Sequence, residues 1–212
     1  MHSWFASGLR SELIRAVDPT GDRGPLPIQM VAVPLGVQAR DLIALCAPMS
    51  GKITAYLLPM LQHICQSHLF ERRRLWSLPL AVVVVPNCDL AEKVVRVEHE
   101  FELKRGSHVL VGTAGRLGEC LERRLLVMKQ CGYLVMDEPD NMMRMGFEKE
   151  MEAILKAMPR RRTIHMYTET MPTSLEKLAR KYLRDPINVS VDRAVSMEKA
   201  LQRRASEKKV HI

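Results

Sequence analysis

The residues best suited to catalysis in this sequence are two adjacent carboxylates, Asp137 and Glu138, which directly follow the apolar run at residues 133–136. That run predicts a buried strand, and α/β proteins that bind nucleotides hold their ligands at the carboxyl ends of strands. One carboxylate there could hold Mg²⁺ through water while the other activates a reacting water. The alternative is an acidic cluster favoured by a helix dipole, and Pro139 suits the first turn of a helix in both cases.

A second candidate for chemistry is residues 46–53, which retain part of the phosphate-loop pattern GxxxxGK[ST]. Gly51 and Lys52 are present, but cysteine stands at the first glycine and isoleucine at the hydroxyl that ligates Mg²⁺. Thr54 comes next, yet one helical step turns a side chain by about 100°, so we do not expect it to replace that hydroxyl. The alternative is an ordinary strand-to-helix turn that contains Ser-Gly-Lys.

The elements that must position these residues are predicted by apolar runs at regular intervals. Several runs are continuously apolar, which is typical of parallel strands covered by helices on both faces. We therefore predict one doubly wound α/β domain over residues 1–193, with residues 1–24 as an N-terminal helix and loop and residues 194–212 as a basic tail or interdomain linker. The predicted strands are 41–45, 80–85, 108–111, 133–136, 163–167 and 187–191.

Composition limits the classes of protein to which this chain can belong. The 212 residues are 47% hydrophobic and 26% charged, as expected for one globular domain. The net charge of +8 suits a polyanionic partner such as RNA, although many soluble proteins are basic for no such reason. The longest apolar run is too short to span a membrane and no secretory signal is visible, so we expect an intracellular protein. Five cysteines without a CxxC pair favour reduced core thiols over disulfides or zinc.

Other polar groups are better explained by structure than by chemistry. The arginine runs at residues 72–74 and 160–162 are expected to be solvated surface, with RNA contact as the alternative. His165 lies in an apolar strand and is expected to be a hydrogen-bonded core histidine. Three methionines are expected to fill the core, namely Met142, Met143 and Met145.

Six short motifs follow one another in a fixed order, at residues 25–29, 47–54, 86–91, 113–117, 137–140 and 168–172. In that order they resemble the Q motif, the phosphate loop, PTRELA, TPGRL, the namesake motif and the S/T-A-T motif of the DEAD-box RNA helicases. The chain is similar to the N-terminal RecA-like domain of that family, and most similar to its spliceosomal members that act at the 5′ splice site. The resemblance extends over residues 4–191.

The resemblance implies ATP and Mg²⁺ as cofactors, RNA as a partner and a role for each motif. Adenine would contact Gln29, Pro27 and Trp4, and the phosphates would contact Ser50, Gly51, Lys52, Ile53 and Thr54. Asp137 would hold Mg²⁺ through water, and Glu138 would activate the attacking water. The RNA backbone would contact Pro86, Asn87, Thr113, Gly115 and Arg116. Hydrolysis would be coupled to unwinding through Asp140, Thr168 and Thr170.

Several departures from the family pattern weaken this expectation. Ile53 replaces the threonine that couples to Mg²⁺, and Pro48-Met49 replaces Thr-Gly, so the loop loses a flexible residue and one N–H. The segment between Pro86 and Gly112 is short, which implies that a strand and a Gly-Gly RNA-binding loop are lost. Further departures are Pro139 and Glu169 at two alanine positions and Cys88 at an RNA-facing arginine.

The sequence is also expected to lack the second RecA-like domain, which in the family supplies the arginine fingers. Because an arginine finger is worth ~10³–10⁵ in rate, we expect ATP hydrolysis by this domain alone to be weak or absent. The first hypothesis is therefore a divergent DEAD-box ATP- and RNA-binding domain, nuclear and monomeric in isolation. The second is a catalytically dead scaffold within a ribonucleoprotein. The third is a phosphate-loop NTPase unrelated to RNA, which predicts no salt-dependent RNA affinity.

Overall fold

The computed structural model describes residues 3–18, 24–67, 78–100 and 108–191. The arginine run 72–74 and the predicted tail 194–212 lie outside these ranges. After a 3₁₀ turn at Trp4–Ser7, the described helices are α1 (Ser11–Val17), α2 (Pro27–Val37), α3 (Lys52–Gln66), α4 (Cys88–Glu100), α5 (Ala114–Glu122), α6 (Pro139–Arg144), α7 (Glu148–Ala157) and α8 (Thr173–Tyr182). The strands are β1 (Leu42–Leu45), β2 (Ala81–Val85), β3 (Val109–Thr113), β4 (Tyr133–Asp137), β5 (Thr163–Thr168) and β6 (Ile187–Ser190).

The strands form one parallel sheet in the order β3-β2-β4-β5-β1-β6. The central strand β4 pairs with β2 on one side, where Met136 aligns with Val84, and with β5 on the other, where Asp137 aligns with Tyr167. The predicted doubly wound α/β fold is confirmed, and each predicted strand lies within two residues of its observed ends. Because all strands run the same way, the residues that follow them gather along one edge of the sheet.

Helices cover the sheet on both faces, and the strands divide their side chains between two apolar clusters. In β2, Val83 and Val85 pack with the face that carries α2 and α3, whereas Val82 and Val84 pack with the face that carries α5 and α7. Successive side chains of a strand point to opposite faces, and both faces here are buried. This is why the strand sequences are apolar without interruption.

Helices α2 and α3 pack closely on the first face because α2 carries a glycine at the contact. A Cβ atom on Gly36 would lie 2.6 Å from Cβ of Pro59 in α3 and 2.9 Å from the ring of His165. Any side chain at this position would push the two helices apart. Gly36 therefore fixes the distance between α2, which carries Gln29, and α3, which begins with Lys52.

The amino edge of the sheet contains a buried aspartate, and a buried histidine lies beside it. The Asp41 carboxylate accepts backbone hydrogen bonds from Ile164 N–H at 2.8 Å and Arg184 N–H at 2.7 Å. His165 is fully buried, with Nε2 3.1 Å from the Arg40 carbonyl oxygen and Nδ1 3.2 Å from the Tyr133 hydroxyl. The prediction that His165 is a hydrogen-bonded core histidine is confirmed.

The predictions that the three methionines fill the core and that the cysteines are core thiols both need correction. Met142 is buried, but Met145 is half-exposed because it follows the last turn of α6 and lies outside the apolar face of that helix. Cys46 and Cys131 are buried thiols, whereas Cys88 is exposed at the start of α4. All five cysteines are free.

The segment between β2 and β3 is where a strand was predicted to be missing. From residue 86 to residue 100 the structure contains α4 and no strand, and residues 101–107 lie outside the described ranges. Within the part of this segment that is described, the chain therefore has a helix between β2 and β3 and nothing that adds to the sheet.

Candidate functional site

The candidate site is the carboxyl edge of the sheet, where five adjacent strands end. The order β3-β2-β4-β5-β1 brings the segments after those strands together in the same sequence. The segments predicted to contact RNA follow β3 and β2, and those predicted to hold the phosphates, Mg²⁺ and the reacting water of a nucleotide follow β1 and β4. The segment after β5 was predicted to couple hydrolysis to unwinding. The two predicted functions are thus neighbours along one edge, and Asp137 at the end of β4 lies between them.

The loop at residues 46–51 connects β1 to α3 and is shaped by two residues with positive φ. Gly51 caps α3 with a φ of 87°, and a Cβ atom there would lie 2.5 Å from Leu26 and 2.8 Å from the Gln29 amide nitrogen. Only glycine fits this conformation and this contact. Met49 has a φ of 61°, which is uncommon for a residue with a side chain, and it is exposed.

Lys52 is held by both predicted catalytic carboxylates. Its Nζ lies 2.6 Å from Asp137 Oδ1 and donates a hydrogen bond of 2.9 Å to Glu138 Oε1. Burial opposes the charged form of Lys52, but the two carboxylates outweigh it and raise the pKa of Lys52. Lys52 is therefore a buried ammonium ion paired within the protein.

The second oxygen of Asp137 is engaged by a residue that the sequence analysis missed. The Tyr56 hydroxyl donates a hydrogen bond of 3.0 Å to Asp137 Oδ2, and Tyr56 and Asp137 are both fully buried. Tyr56 lies four residues after Lys52 on α3, so the two side chains lie on one face of the helix. That spacing was the available signal, but it does not reveal a partner 81 residues away.

Glu138 completes this group in a constrained backbone conformation. It has a φ of 59° and caps α6, and its N–H donates to the Tyr167 carbonyl oxygen at 2.8 Å. Pro139 occupies the first turn of α6, as the sequence predicted. Such a conformation costs energy in a non-glycine residue and persists only where the surroundings enforce it, as the hydrogen bond to Tyr167 does here.

Gln29, predicted to contact adenine, joins α2 to the phosphate loop. Its Oε1 accepts a hydrogen bond of 2.8 Å from Leu26 N–H, and its Nε2 donates one of 3.1 Å to the Gly51 carbonyl oxygen. The structure thus links Gln29 to Gly51, which directly precedes Lys52. Pro27 is the first residue of α2 and is half-buried beside this contact.

The two aromatic residues near the N-terminus differ sharply in exposure. Trp4 is 4% exposed and belongs to the core cluster with Leu9 and Leu13, whereas Phe5 is 81% exposed. A base could stack on the exposed Phe5 ring without any change in the core. Stacking on Trp4 would require its buried ring to leave the core. The one-residue difference arises because adjacent residues in a 3₁₀ turn point in different directions.

The residues on either side of Lys52 offer little to a divalent cation. Ile53 packs against the apolar core cluster, Thr54 is half-buried, and the buried hydroxyl of Ser50 has no hydrogen-bond partner among the described residues. Asp137, which was predicted to hold Mg²⁺ through water, has no exposed surface. Its Oδ2 accepts the hydrogen bond from Tyr56, and its Oδ1 lies in an ion pair 2.6 Å from Lys52 Nζ without a hydrogen bond of good geometry. Among the described residues, His, Cys, Asp and Glu form no cluster of three or more that could hold a metal ion. The side chains present do not fit Mg²⁺, and the role of Asp137 as its ligand stays a prediction.

The three residues predicted to couple hydrolysis to unwinding form one hydrogen-bonded group. Asp140 Oδ2 accepts from Thr170 N–H at 3.1 Å and from the Thr170 hydroxyl at 2.7 Å. The Thr168 hydroxyl donates to the Thr170 carbonyl oxygen at 2.8 Å. Burial would raise the pKa of Asp140, but the threonine hydrogen bonds outweigh it and lower that pKa. The end of β5 is thereby tied to α6.

The residues predicted to contact RNA lie at the ends of β2 and β3. Pro86 is buried and Asn87 is exposed. Asn87 caps the start of α4, because its Oδ1 accepts a hydrogen bond of 2.9 Å from Leu90 N–H. Thr113 caps α5, Gly115 is half-buried, and Arg116 is exposed. The Arg116 guanidinium lies 2.6 Å from Glu119 on the same helix. Such an exposed pair is worth little and can be exchanged for a phosphate.

The arginine run at residues 160–162 lies away from this edge. It directly precedes β5, so it is at the amino end of the sheet, and Arg162 donates a hydrogen bond of 2.7 Å to the Pro159 carbonyl oxygen. Arg160 and Arg161 are exposed. These residues therefore do not extend the surface formed by the ends of β2 and β3.

Comparisons with known proteins identify relatives of this chain. The DEAD/DEAH box helicase family matches residues 96–178. The rice (Oryza sativa subsp. japonica) protein named DEAD-box ATP-dependent RNA helicase 21 is 38% identical over 233 residues, which cover 92% of this chain and 32% of that protein. The pre-mRNA-splicing ATP-dependent RNA helicase prp28 of Neosartorya fischeri is 37% identical over 240 residues, covering 92% of this chain and 30% of that protein.

The fold also matches that of a solved RNA helicase. The crystal structure of the RNA-helicase Prp28 from Chaetomium thermophilum bound to ADP superposes with a TM-score of 0.81 at 36% identity, covering 91% of this chain and 51% of that one. This chain is a homologue of the DEAD-box RNA helicases. The resemblance stated from the motifs, to their N-terminal RecA-like domain and to spliceosomal members, is confirmed.

This DEAD-box homologue spans about a third of the length of the curated relatives that it matches. The aligned stretch of 233 residues is longer than the 212-residue chain, so the chain lacks residues that the relative has. Across the described ranges, no helix combines the length and the apolar character needed to pass through a membrane.

Proposed function

We propose that this chain is the ATP- and RNA-binding first domain of a divergent DEAD-box RNA helicase. The observation that carries the proposal is a connected set of contacts at one sheet edge. Gln29 contacts Gly51, and Lys52 contacts Asp137 and Glu138. A nucleotide placed there would extend from Gln29, which would read its base, to the first turn of α3, whose backbone N–H groups favour phosphate.

The RNA part of the proposal is supported by the neighbouring strand ends. Thr113, Gly115 and Arg116 begin α5, and Asn87 begins α4 one strand away, so helix N-termini and an exposed arginine lie side by side. Phosphate oxygens are bound by such groups without base specificity. The net charge of +8 favours the same class of ligand.

Hydrolysis is proposed to be weak or absent in this domain alone. The buried pairing of Lys52 with Asp137 and the apolar Ile53 are poorly suited to phosphoryl transfer, which depends on metal placement and charge stabilisation. The name of the Neosartorya fischeri relative connects that protein to pre-mRNA splicing. This similarity supports the proposal that the chain acts in the nucleus on RNA within a ribonucleoprotein. We further propose that the isolated chain is a monomer.

Adenine recognition is tested by titrating the chain with ATP and with GTP in a calorimeter. We expect ATP to bind about tenfold more tightly, since the Gln29 amide can make two hydrogen bonds to adenine and one such net bond is worth about 1 kcal/mol. Gln29→Ala should remove this preference, whereas Gln38→Ala, at the exposed end of the same helix, should keep it. Equal affinity for ATP and GTP in the unmodified chain would contradict base recognition by Gln29.

RNA binding is tested with two arginines that pair with the same glutamate. Arg116 and Arg123 both lie against Glu119, and their side chains are 64% and 62% exposed, but only Arg116 is at the start of α5. Arg116→Ala should weaken binding to single-stranded RNA and lower the slope of log Kd against log salt by about 1. Arg123→Ala should leave that slope unchanged, and an equal effect of both substitutions would place the RNA elsewhere.

A second function, a scaffold that has lost nucleotide binding, is favoured by one observation. Lys52 already has two carboxylate partners at 2.6 and 2.9 Å, so a phosphate would have to compete with them. The absence of ATP binding even at millimolar nucleotide would support the scaffold and overturn the first proposal.

A further inference from the structure

Asp137 is enclosed by side chains of its own domain. Lys52 Nζ lies 2.6 Å from one carboxylate oxygen, and the Tyr56 hydroxyl lies 3.0 Å from the other. No part of Asp137 is exposed to solvent. A carboxylate that holds a metal through water must present at least one oxygen to that water, and with Lys52 in this position both oxygens of Asp137 are covered by side chains.

A second and independent feature is the residue that follows the phosphate-loop lysine. In the phosphate-loop pattern, a serine or threonine hydroxyl at this position ligates Mg²⁺. Here Ile53 presents an apolar side chain that packs against the core cluster. Mg²⁺ requires near-ideal octahedral oxygen coordination, so an apolar group at a ligand position is not easily tolerated.

The positive charge of this pocket is already supplied by the protein. The Lys52 ammonium bridges Asp137 and Glu138, so one cation lies between two carboxylates where a divalent ion would otherwise be attracted. The remaining negative charge lies on Glu138, whose side chain is 25% exposed. A single partly exposed carboxylate is a weak site for Mg²⁺.

From these three observations we infer that this chain binds ATP without a divalent cation, with the Lys52 ammonium in the place of the metal and with Tyr56 as the positioning residue of Asp137. The inference rests on the proposed nucleotide-binding function and specifies the ionic form of the ligand. Free ATP, rather than its magnesium complex, is the species that this pocket accepts.

The test compares ATP binding to the folded chain by calorimetry in excess MgCl₂ and in excess EDTA. We expect Kd values within about threefold of each other, a difference below 1 kcal/mol. Binding that is at least about tenfold tighter with Mg²⁺ would overturn the inference and leave the proposed function standing. No binding under either condition would overturn both.

Two double variants test whether Ile53 and Tyr56 are the cause. Ile53→Thr with Tyr56→Phe adds a hydroxyl beside Lys52 and releases one oxygen of Asp137. Ile53→Val with Tyr56→Phe has the same shape as the first variant without the added hydroxyl. We expect only the threonine variant to gain tighter binding with Mg²⁺, by about tenfold.

Equal magnesium dependence of the two double variants would overturn the assignment to these side chains. Circular dichroism and thermal unfolding establish that each variant is folded before titration. If either variant does not fold, the comparison of MgCl₂ with EDTA on the unmodified chain decides the inference. Paramagnetic resonance of Mn²⁺ added with ATP gives a second readout, and a protein-bound manganese signal from the unmodified chain would contradict it.

Discussion

The two ends of the sheet each bury an aspartate, and they satisfy it in different ways. At the amino edge, Asp41 accepts hydrogen bonds from two backbone N–H groups, those of Ile164 and Arg184. At the carboxyl edge, Asp137 is paired with two side chains: it forms an ion pair with the Lys52 ammonium and accepts a hydrogen bond from the Tyr56 hydroxyl. Both carboxylates are almost fully buried, so burial alone does not separate them.

The two aspartates differ in whether their partners can move to another ligand. Backbone groups in a sheet and its turns cannot move to another ligand without unfolding part of the domain, so Asp41 is fixed in a structural role. A lysine side chain can turn toward a different anion while the backbone stays in place. A buried acid satisfied by a mobile cation is therefore the better indicator of a binding site than burial or charge.

The largest expected effect comes from removing the cation at the carboxyl edge. Lys52→Met leaves Asp137 buried beside no positive charge, and breaking a buried pair in this way costs about 3–5 kcal/mol of unfolding free energy. Urea denaturation measures the loss. Adding Asp137→Asn should restore most of it, because the unpaired charge is then gone.

The matched control is an ion pair of equal length on the surface. Lys181 also lies 2.6 Å from a carboxylate, that of Glu152, but its side chain is 60% exposed. Lys181→Met should change stability only slightly, because solvent screens the pair. If Lys52→Met lowered the unfolding free energy as little as Lys181→Met, the charge of Asp137 would not depend on Lys52 for its stability.

The next effect is a pH dependence from the amino edge. Burial lowers the pKa of His165 from 6.5 to about 4. Between these values the unfolded chain binds a proton that the folded chain excludes, so stability is full above pH 6.5 and falls as the pH drops toward 4. The loss attributable to His165 is about 3 kcal/mol, at 1.36 kcal/mol per pKa unit.

Denaturant titrations of His165→Gln and of the unmodified chain, from pH 7 to pH 4, isolate this contribution. Burial also lowers the pKa of His63, whose ring packs on Tyr133, so His63→Gln serves as the control. His165→Gln should flatten the pH dependence more than His63→Gln. An unchanged slope for His165→Gln would contradict the burial of a neutral imidazole.

A smaller effect is expected when the backbone-bonded carboxylate is changed. Asp41→Asn keeps one acceptor oxygen and leaves either Ile164 N–H or Arg184 N–H unsatisfied, which costs about 2 kcal/mol in unfolding free energy. The ATP affinity of the folded protein should not change, because Asp41 lies at the opposite edge. Asp185→Asn, in an exposed pair with Arg40, is the control for stability. A loss of ATP affinity in Asp41→Asn would show that the two edges are coupled.

The smallest effect compares two residues with positive φ, one at each edge. Met49 has a φ of 61° and Ala39 a φ of 55°, so glycine at either position relieves strain of about 1 kcal/mol. Met49→Gly combined with Ile53→Thr should also raise ATP affinity, since the loop gains freedom near the phosphates. Ala39→Gly should stabilise the protein without that gain. Thermal unfolding and ATP titration measure both, and no gain in the Met49 variant would mean that the pocket is closed for other reasons.

The fold was predictable because its signals are local. Each strand is a short apolar run, and Gly51-Lys52 marks the start of a helix through residue type alone. The alignment of strand ends then follows from parallel topology, which is why Lys52 and Asp137 were expected to meet. The contact between Lys52 and Asp137 is consistent with the roles predicted for them, and those roles stay predictions.

The remaining features were not predictable because they depend on partners distant in sequence. Nothing near Tyr56 indicates a carboxylate 81 residues away, and Asp41 reads as the first residue of a strand until Arg184 N–H is found beside it. The choice between Trp4 and Phe5 depends on the direction of a single turn against the core. Each of these features depends on tertiary packing, which the periodicity of the sequence does not reveal.

The bridge formed by Gln29 has a mechanical consequence for how a ligand would be sensed. One amide group connects Leu26 N–H to the Gly51 carbonyl oxygen, so it sets the span between the two ends of the pocket. A base that took over this amide would release Gly51, which has the freedom of φ to rotate and directly precedes Lys52. A base bound to Gln29 would thus increase the freedom of the Gly51 backbone beside Lys52. Gln29 would then both contact the base and transmit its binding to the phosphate loop.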